Sequence, residues 1–316
     1  MSMGYLSQRE AFGRALKEYG AENRDVVVLD ADTSSSTLSK FFADAFPDRF
    51  FNVGIAEPCL VDVAVGMALA GFVPVINAFS ALVSLRALEQ IRTCVSYANT
   101  NVKIASSYAG LSDYKDGPTH HSIMDIGIMR MLPGMTVIVP ADELEIKAWV
   151  PVIAQHKGPV YFRLSRDGTP VVHEKEPVVE IGKGLKLRSG KDVGVITAGT
   201  MTYRCLKAAQ ELTEEGIAVT VIEMPSIKPL DTALILDTAR ETGAVVTVEE
   251  HSILGGLGGA VAEVVTLHHP VPIERVGIQD TFARTGPDPD SLMDAFGLSV
   301  SDIVRACKEA IGKKEQ

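Results

Sequence analysis

Apolar residues along this chain fall into short unbroken runs separated by longer periodic stretches. DVVVLDAD (25–32), VPVINAF (73–79), NVKIASSYA (101–109), MTVIVPAD (135–142) and PVYFRLS (159–165) are β-branched runs of strand length. Between them lie SQREAFGRALKEYG, EPCLVDVAVGMALAG and ADELEIKAWVPVIAQH, whose spacing predicts helices. Strands alternating with helices predict parallel βαβ units with helices on both sheet faces. From 168 to 192 the texture turns polar, charged and turn-rich. Alternation then resumes with DVGVITAG (192–199), AVTVIEMP (218–225), AVVTVEEH (244–251) and PIERVGIQ (272–279). The expected fold is α/β, with two doubly wound domains. Residues 1–170 form a mainly parallel-sheet domain, 171–190 a linker, and 191–316 a smaller α/β domain.

One stretch tests that picture. Val63 to Leu85 carries no charge and is long enough to span a bilayer. The sequence Ala70-Gly71-Phe72-Val73-Pro74 breaks it into a helix ending at glycine and a doubly buried strand. A net charge of -10 and a pI near 5.2 argue against a nucleic-acid or anionic-membrane partner. The four cysteines show no CxxC, so neither a disulfide framework nor a zinc site is implied. The N-terminal MSMGYLSQRE lacks the apolar core of a secretion signal. A cytoplasmic protein is expected.

Three motifs carry candidate chemistry. HSILGGLGGAVAEVV, from His251, follows a strand and opens a helix, but the run lacks the third small residue of a dinucleotide fingerprint. Close helix packing is the favoured role of its glycines. DGPTHHS, from Asp116, combines a Gly-Pro turn, a candidate helix cap at Thr119 and two histidines at a loop-to-helix junction. Such a junction after a parallel strand is where ligands bind, although a solvated histidine pair is an equal alternative. FFNVGIAEPCLV (50–61) buries Glu57 among apolar residues, a cost of several kcal/mol unless the carboxylate is paired. A helix-start carboxylate stabilised by the helix dipole is the plain alternative.

Taken together, DRFFNVGIAE, INAFSAL, YAGLSDYKDGPTHHSIMDIGIMRMLPGMTVIVPADELE and GIQDTFARTGPDPDSLMDAFGL resemble the C-terminal half of transketolase. They are also similar to the matching part of deoxyxylulose-phosphate synthase. The resemblance implies a pyrimidine-binding domain for thiamine diphosphate, followed by a transketolase C-terminal domain. It implies that Glu57 hydrogen-bonds a ring nitrogen of the cofactor's aminopyrimidine and shares a proton with it. Phe79 matches an aromatic that packs on the pyrimidine, with Leu82 and Leu85 in place of further aromatics. His120 matches a substrate-facing histidine that assists proton transfer, and Asp116 a carboxylate that reads a sugar hydroxyl. Arg166 matches an arginine that grips the sugar phosphate, with Arg9 and Ser34 or Ser35 beside it. Ser107 stands where the family places a phosphate-contacting histidine.

The metal- and diphosphate-binding Gly-Asp-Gly of full-length transketolases is not found in this sequence. The resemblance therefore implies an N-terminal transketolase subunit that holds the diphosphate and a divalent metal such as Mg. This chain contributes no metal ligand in that reading, and two copies of each chain make an α2β2 heterotetramer. The expected activity is transfer of a two-carbon ketol unit from a ketose phosphate to an aldose. A rival is the β subunit of a 2-oxoacid decarboxylating dehydrogenase component, but DGPTH and the sugar-phosphate arginine favour transketolase. A non-catalytic scaffold of the same fold has no need of a costly buried carboxylate. A nucleotide-binding module rests on the imperfect glycine run alone.

Overall fold

The computed structural model describes residues 6–314; residues 1–5, part of the N-terminal stretch read above, lie outside them. Strands β1 (Val26–Asp30), β2 (Phe50–Asn52), β3 (Val73–Phe79), β4 (Lys103–Ser107), β5 (Thr136–Ile138) and β6 (Val160–Arg163) belong to one sheet. With β10 (Ser226–Lys228) their order is β10-β5-β6-β4-β3-β1-β2. All neighbours are parallel except β10, which runs antiparallel to β5. Strands β7 (Leu185–Arg188), β8 (Val193–Thr197), β9 (Val219–Glu223), β11 (Val245–Ser252) and β12 (Ile273–Ile278) form a second sheet, ordered β12-β11-β8-β9-β7. Only β7 is antiparallel there.

The expected two-sheet α/β architecture is thus present, and the nine strand segments read from the sequence are all strands. Three short edge strands, β2, β7 and β10, add to that expectation. Strand β7 lies inside the stretch 171–190 read as linker, and β10 carries part of the second half of the chain into the first sheet. Three or four residues are too few for a periodic pattern, so their pairing is decided by what lies beside them.

Alternation along the strands builds the cores. Val26 and Val28 face one side of the first sheet, with Phe12 and Leu16 of helix α1 (Gln8–Glu22) and with Trp149. Val27 and Leu29 face the other, with Leu60 and Val61, and this core continues into Met224, Leu257 and Val261 of the second half. The two halves therefore share buried apolar surface. Short helices α2 (Ser34–Thr37) and α3 (Lys40–Ala45) follow β1. Helix α4 (Glu57–Leu69) precedes β3, and α5 (Ser80–Arg86) and α6 (Leu88–Gln90) follow it. Helices α7 (Asp125–Met131) and α8 (Glu143–Gln155) complete the first half. The second half holds α9 (Met201–Glu214), α10 (Thr232–Thr242), α11 (Leu257–His268), α12 (Pro289–Ala295) and α13 (Val300–Lys314). No helix among the described residues is long and apolar enough to cross a membrane.

One polar clasp joins the halves. Asp142 caps α8 by accepting from the Glu145 amide at 2.9 Å. His173, in the connecting stretch, contacts Asp142 through Nδ1 at 3.0 Å. Its Nε2 lies 3.2 Å from Glu223 Oε2 at the end of β9, an ion pair without hydrogen-bond geometry. Burial alone would lower the imidazolium's pKa, but the carboxylates of Asp142 and Glu223 hold it up at about 10. Glu145 is fully buried beside Glu223, and both effects push its carboxyl well above the usual range. The centre is thus a histidinium between Asp142 and Glu223, with the Glu145 carboxyl beside them.

His173→Gln should destabilise the protein at pH 7 by about 3–5 kcal/mol, the range for breaking a buried ion pair. A folded pKa raised to about 10 from 6.5 means the contribution is complete below pH 6.5 and lost as pH rises through 10. Denaturant unfolding of both proteins across that window should show the gap closing on the alkaline side.

Candidate active site

In an open parallel sheet the carboxyl ends of the strands form the ligand-binding edge. Here β3 delivers Phe79 and β4 leads into Tyr108, while Arg166 lies just beyond β6. The loop 113–121 crosses the same edge. Phe79 and Tyr108 have ring centroids 4.3 Å apart, and Phe79 meets His120 edge-on at 6.1 Å. The sequence separation of these rings gives no hint of that contact.

Glu57 opens α4 and is only 3% exposed. No side chain caps that helix, so the carboxylate sits at the positive end of the helix dipole. Its local sequence is apolar, yet the fold brings a cation to it. Arg86, at the end of α5, places Nη1 3.5 Å from Glu57 Oε1 while remaining half exposed. Arg86 escaped the sequence reading because it is 29 residues away. Leu82 is half-buried on the same helix, and Leu85 is exposed.

The two histidines of the loop have different surroundings. His121 is buried, with Nε2 3.1 Å from the Asp113 carbonyl; burial lowers its pKa against that hydrogen bond. His120 is partly open, with Nδ1 3.0 Å from the Thr119 hydroxyl. Thr119 is therefore no helix cap, and α7 begins only at Asp125. Asp116 is exposed, while Asp113 is buried and paired with Arg166, Oδ1 to Nη1, at 2.7 Å. Burial and the nearby Asp116 push the Asp113 carboxyl up, and Arg166 opposes them.

Arg9 reaches the same edge from α1. Its Nη1 donates to the Tyr108 hydroxyl at 2.7 Å and to the Ser36 carbonyl at 2.5 Å. The guanidinium carbons of Arg9 and Arg166 stand 5.4 and 5.3 Å from the Tyr108 ring centre. Within α2 it is Ser36, the neighbour of Ser34 and Ser35, whose carbonyl meets Arg9. Ser107 is fully buried and its hydroxyl has no hydrogen-bond partner among the described residues; Tyr108, the next residue, reaches the arginines. The missed signal is the positive φ of Tyr108, +64°, which turns the chain sharply after β4.

Residues 5–171 match the transketolase pyrimidine-binding domain, and residues 182–303 match the transketolase C-terminal domain. The chain belongs to the transketolase family. A solved structure described as a split-gene transketolase, inactive β4 tetramer, is 45% identical with a TM-score of 0.89. That match covers 98% of this chain and all of the other. A 6-deoxy-6-sulfo-D-fructose transketolase subunit of Clostridium sp. (strain MSTE9) is 39% identical over 97% of this chain and 95% of its own. An apulose-4-phosphate transketolase subunit of Phocaeicola vulgatus is 33% identical over 99% and 100%.

Beneath this transketolase-type edge lies a buried polar network. Asp125 Oδ2 accepts from Arg163 Nε and Tyr161 Oη, each at 2.8 Å, and from Ser80 Oγ at 3.2 Å. Ser80 follows Phe79, and its hydroxyl also bonds Ser122 Oγ at 2.7 Å. Arg163 Nη2 donates to the carbonyls of Ser122 and Glu250 at 3.1 and 3.0 Å. Glu250 then accepts from the Leu111 amide at 2.6 Å and the Thr200 hydroxyl at 2.7 Å. A Cβ on Gly110 would stand 2.2 Å from the Glu250 carboxylate, so the close approach requires glycine. Phe79, the histidine loop and the second half are thereby fixed to one another.

The glycine run has a separate explanation. Glu249 accepts from the amides of Leu257 and Gly258 at 2.7 and 2.8 Å, capping α11. A Cβ on Gly256 would lie 2.0 Å from that carboxylate. The protein's own side chain occupies the position a nucleotide phosphate needs, which removes the dinucleotide reading.

Asp125→Asn should cost about 3–5 kcal/mol, because it leaves Arg163 buried without its counter-charge. Burial, the largest single effect, pushes the Asp125 carboxyl up, but the Arg163 and His251 side chains and the hydrogen bonds from Arg163 and Tyr161 together hold it below 3.8. Its contribution is therefore complete above pH 3.8 and lost as pH falls through the lower folded value. Hydrogen exchange at neutral pH should show residues 113–122 losing protection in the variant.

Proposed function

We propose that this chain is the C-terminal subunit of a two-chain, thiamine-diphosphate-dependent transketolase that moves a two-carbon ketol unit from a ketose to an aldose. The observation that carries the reading is the buried Glu57 carboxylate at the start of α4, whose one charged contact among the described residues is a long one to a half-exposed arginine. A group of this kind suits a ring nitrogen that must gain and lose a proton. The family is thiamine-diphosphate-dependent, and its cofactor supplies the carbon nucleophile when bound. Glu57 would hold the aminopyrimidine and exchange a proton with it. Phe79 and Leu82 would pack on the ring, and His120 would face the substrate, where an imidazole suits proton transfer.

The partner in this reading is an N-terminal subunit that binds the diphosphate and a divalent metal such as Mg. Relatives that are themselves separate transketolase subunits match this chain nearly end to end, which supports it. Ile55 and Leu69, at 73% and 76% exposure, stand at opposite ends of α4, and Leu85 is exposed at the end of α5. An α2β2 assembly would cover them and complete two sites.

The isolated chain should bind thiamine diphosphate weakly and transfer no ketol unit; full transfer by the purified chain alone would sink the two-chain reading. Glu57→Gln should keep the fold and the assembly, because glutamine matches the size and can hydrogen-bond. It cannot carry the exchangeable proton. Deuterium exchange at the acidic carbon of the cofactor's thiazolium ring, measured in the reconstituted complex, should slow by about 10²–10⁴. An unchanged rate would leave Glu57 as a helix-start carboxylate only.

A further inference from the structure

The cation beside Glu57 comes from the helix that also carries a proposed ring-packing residue. Resting on the reading of Glu57 as the group that exchanges a proton with the cofactor, we propose that Arg86 is a positioning residue for that exchange: its charge favours the ionised Glu57 carboxylate, the form that accepts the proton.

Helix α5 builds the placement. Its first residue, Ser80, is fixed by hydrogen bonds to Ser122 and Asp125 at 2.7 and 3.2 Å. Its last residue, Arg86, brings Nη1 to 3.5 Å from Glu57 Oε1. Leu82 lies between them and Phe79 immediately before them, so one short helix spaces the guanidinium from the proposed ring-packing side chains. Among the described residues Arg86 has no other carboxylate partner, and Glu57 Oε2 makes no hydrogen bond. One carboxylate oxygen faces the cation and the other is left for a ring nitrogen. The Glu57 side chain keeps 4% of its surface open, and that of Arg86 keeps 55%.

Other ionisable groups on and around α4 are engaged elsewhere or do not reach Glu57. Strand β3 brings none to the helix. Asp30, at the end of β1, accepts from the hydroxyls of Thr33 and Ser39 at 3.2 and 2.9 Å. Glu89 of α6 pairs with Arg92 at 2.8 Å. Cys59 and Asp62 of α4, with Cys94 and Tyr97 of the following turn 91–97, make no hydrogen bond to Glu57. Burial favours the neutral acid, whereas a nearby positive charge favours the carboxylate. At 3.5 Å, with one partner half solvated, that attraction is partial. It biases Glu57 toward the ionised form without locking it there, as a close bidentate pair would. Both protonation states stay within reach, which proton exchange requires.

The test compares Arg86→Gln, which removes the charge, with Arg86→Lys, which keeps it. In the isolated chain, without cofactor, the Glu57 carboxyl carbon is followed by carbon-13 NMR as pH is varied, its signal identified by its loss in Glu57→Gln. Removing a positive charge disfavours the carboxylate, so the ionisation midpoint should move to higher pH by about 0.2 to 0.7 of a unit in Arg86→Gln. Arg86→Lys should recover most of that shift. In the reconstituted complex, deuterium exchange at the acidic thiazolium carbon should fall by about two- to fivefold in Arg86→Gln on the acid side of its pH profile, and recover in Arg86→Lys. A midpoint that stays in place, or a shift that lysine fails to reverse, overturns the proposal, and both are read without the cofactor. So does an Arg86→Gln exchange profile equal to that of the wild type. Exchange that survives Glu57→Gln unchanged overturns the cofactor reading of Glu57 itself and the role given to Arg86 with it.

Discussion

The Asp125–Arg163 pair is the interaction on which the rest of this site depends. Both side chains are buried, and Arg163 is the last residue of a central strand. A lone guanidinium there would be very costly, so the carboxylate at 2.8 Å and the two carbonyls it reaches are mutually required. Because those carbonyls belong to Ser122 and Glu250, satisfying one charge fixes the histidine loop and strand β11 of the second half together. Ser80 and Tyr161 complete the shell, and Ser80 carries Phe79 with it. A polar network of this kind rigidifies a site because each member leaves another unsatisfied if it moves.

The second half of the chain thus does more than sit beside the first. Glu250 holds the Leu111 amide, the Gly286 amide donates to the Tyr114 carbonyl at 2.9 Å, and β10 extends the first sheet. His173 adds a charged clasp between Asp142 and Glu223. The loop 113–121 is bracketed by elements from both halves, so its geometry is a property of their packing.

Local pattern determined much of this protein. The nine strand segments, the alternation that makes the sheets parallel, and the helix beginning at Glu57 follow from side-chain periodicity, which acts over a few residues. Glu57, Phe79 and His120 were legible as candidates because they stand in dense, recognisable motifs at strand ends. Tertiary structure decided the partners. Arg86 beside Glu57, Asp113 on Arg166, Tyr108 between two arginines, and Glu249 on its own glycine run all join residues distant in sequence or turned by an uncommon backbone angle. Periodicity carries no information about such contacts. They arise because buried charges and hydrogen-bonding groups must be satisfied wherever the fold happens to bring a complement within about 3 Å.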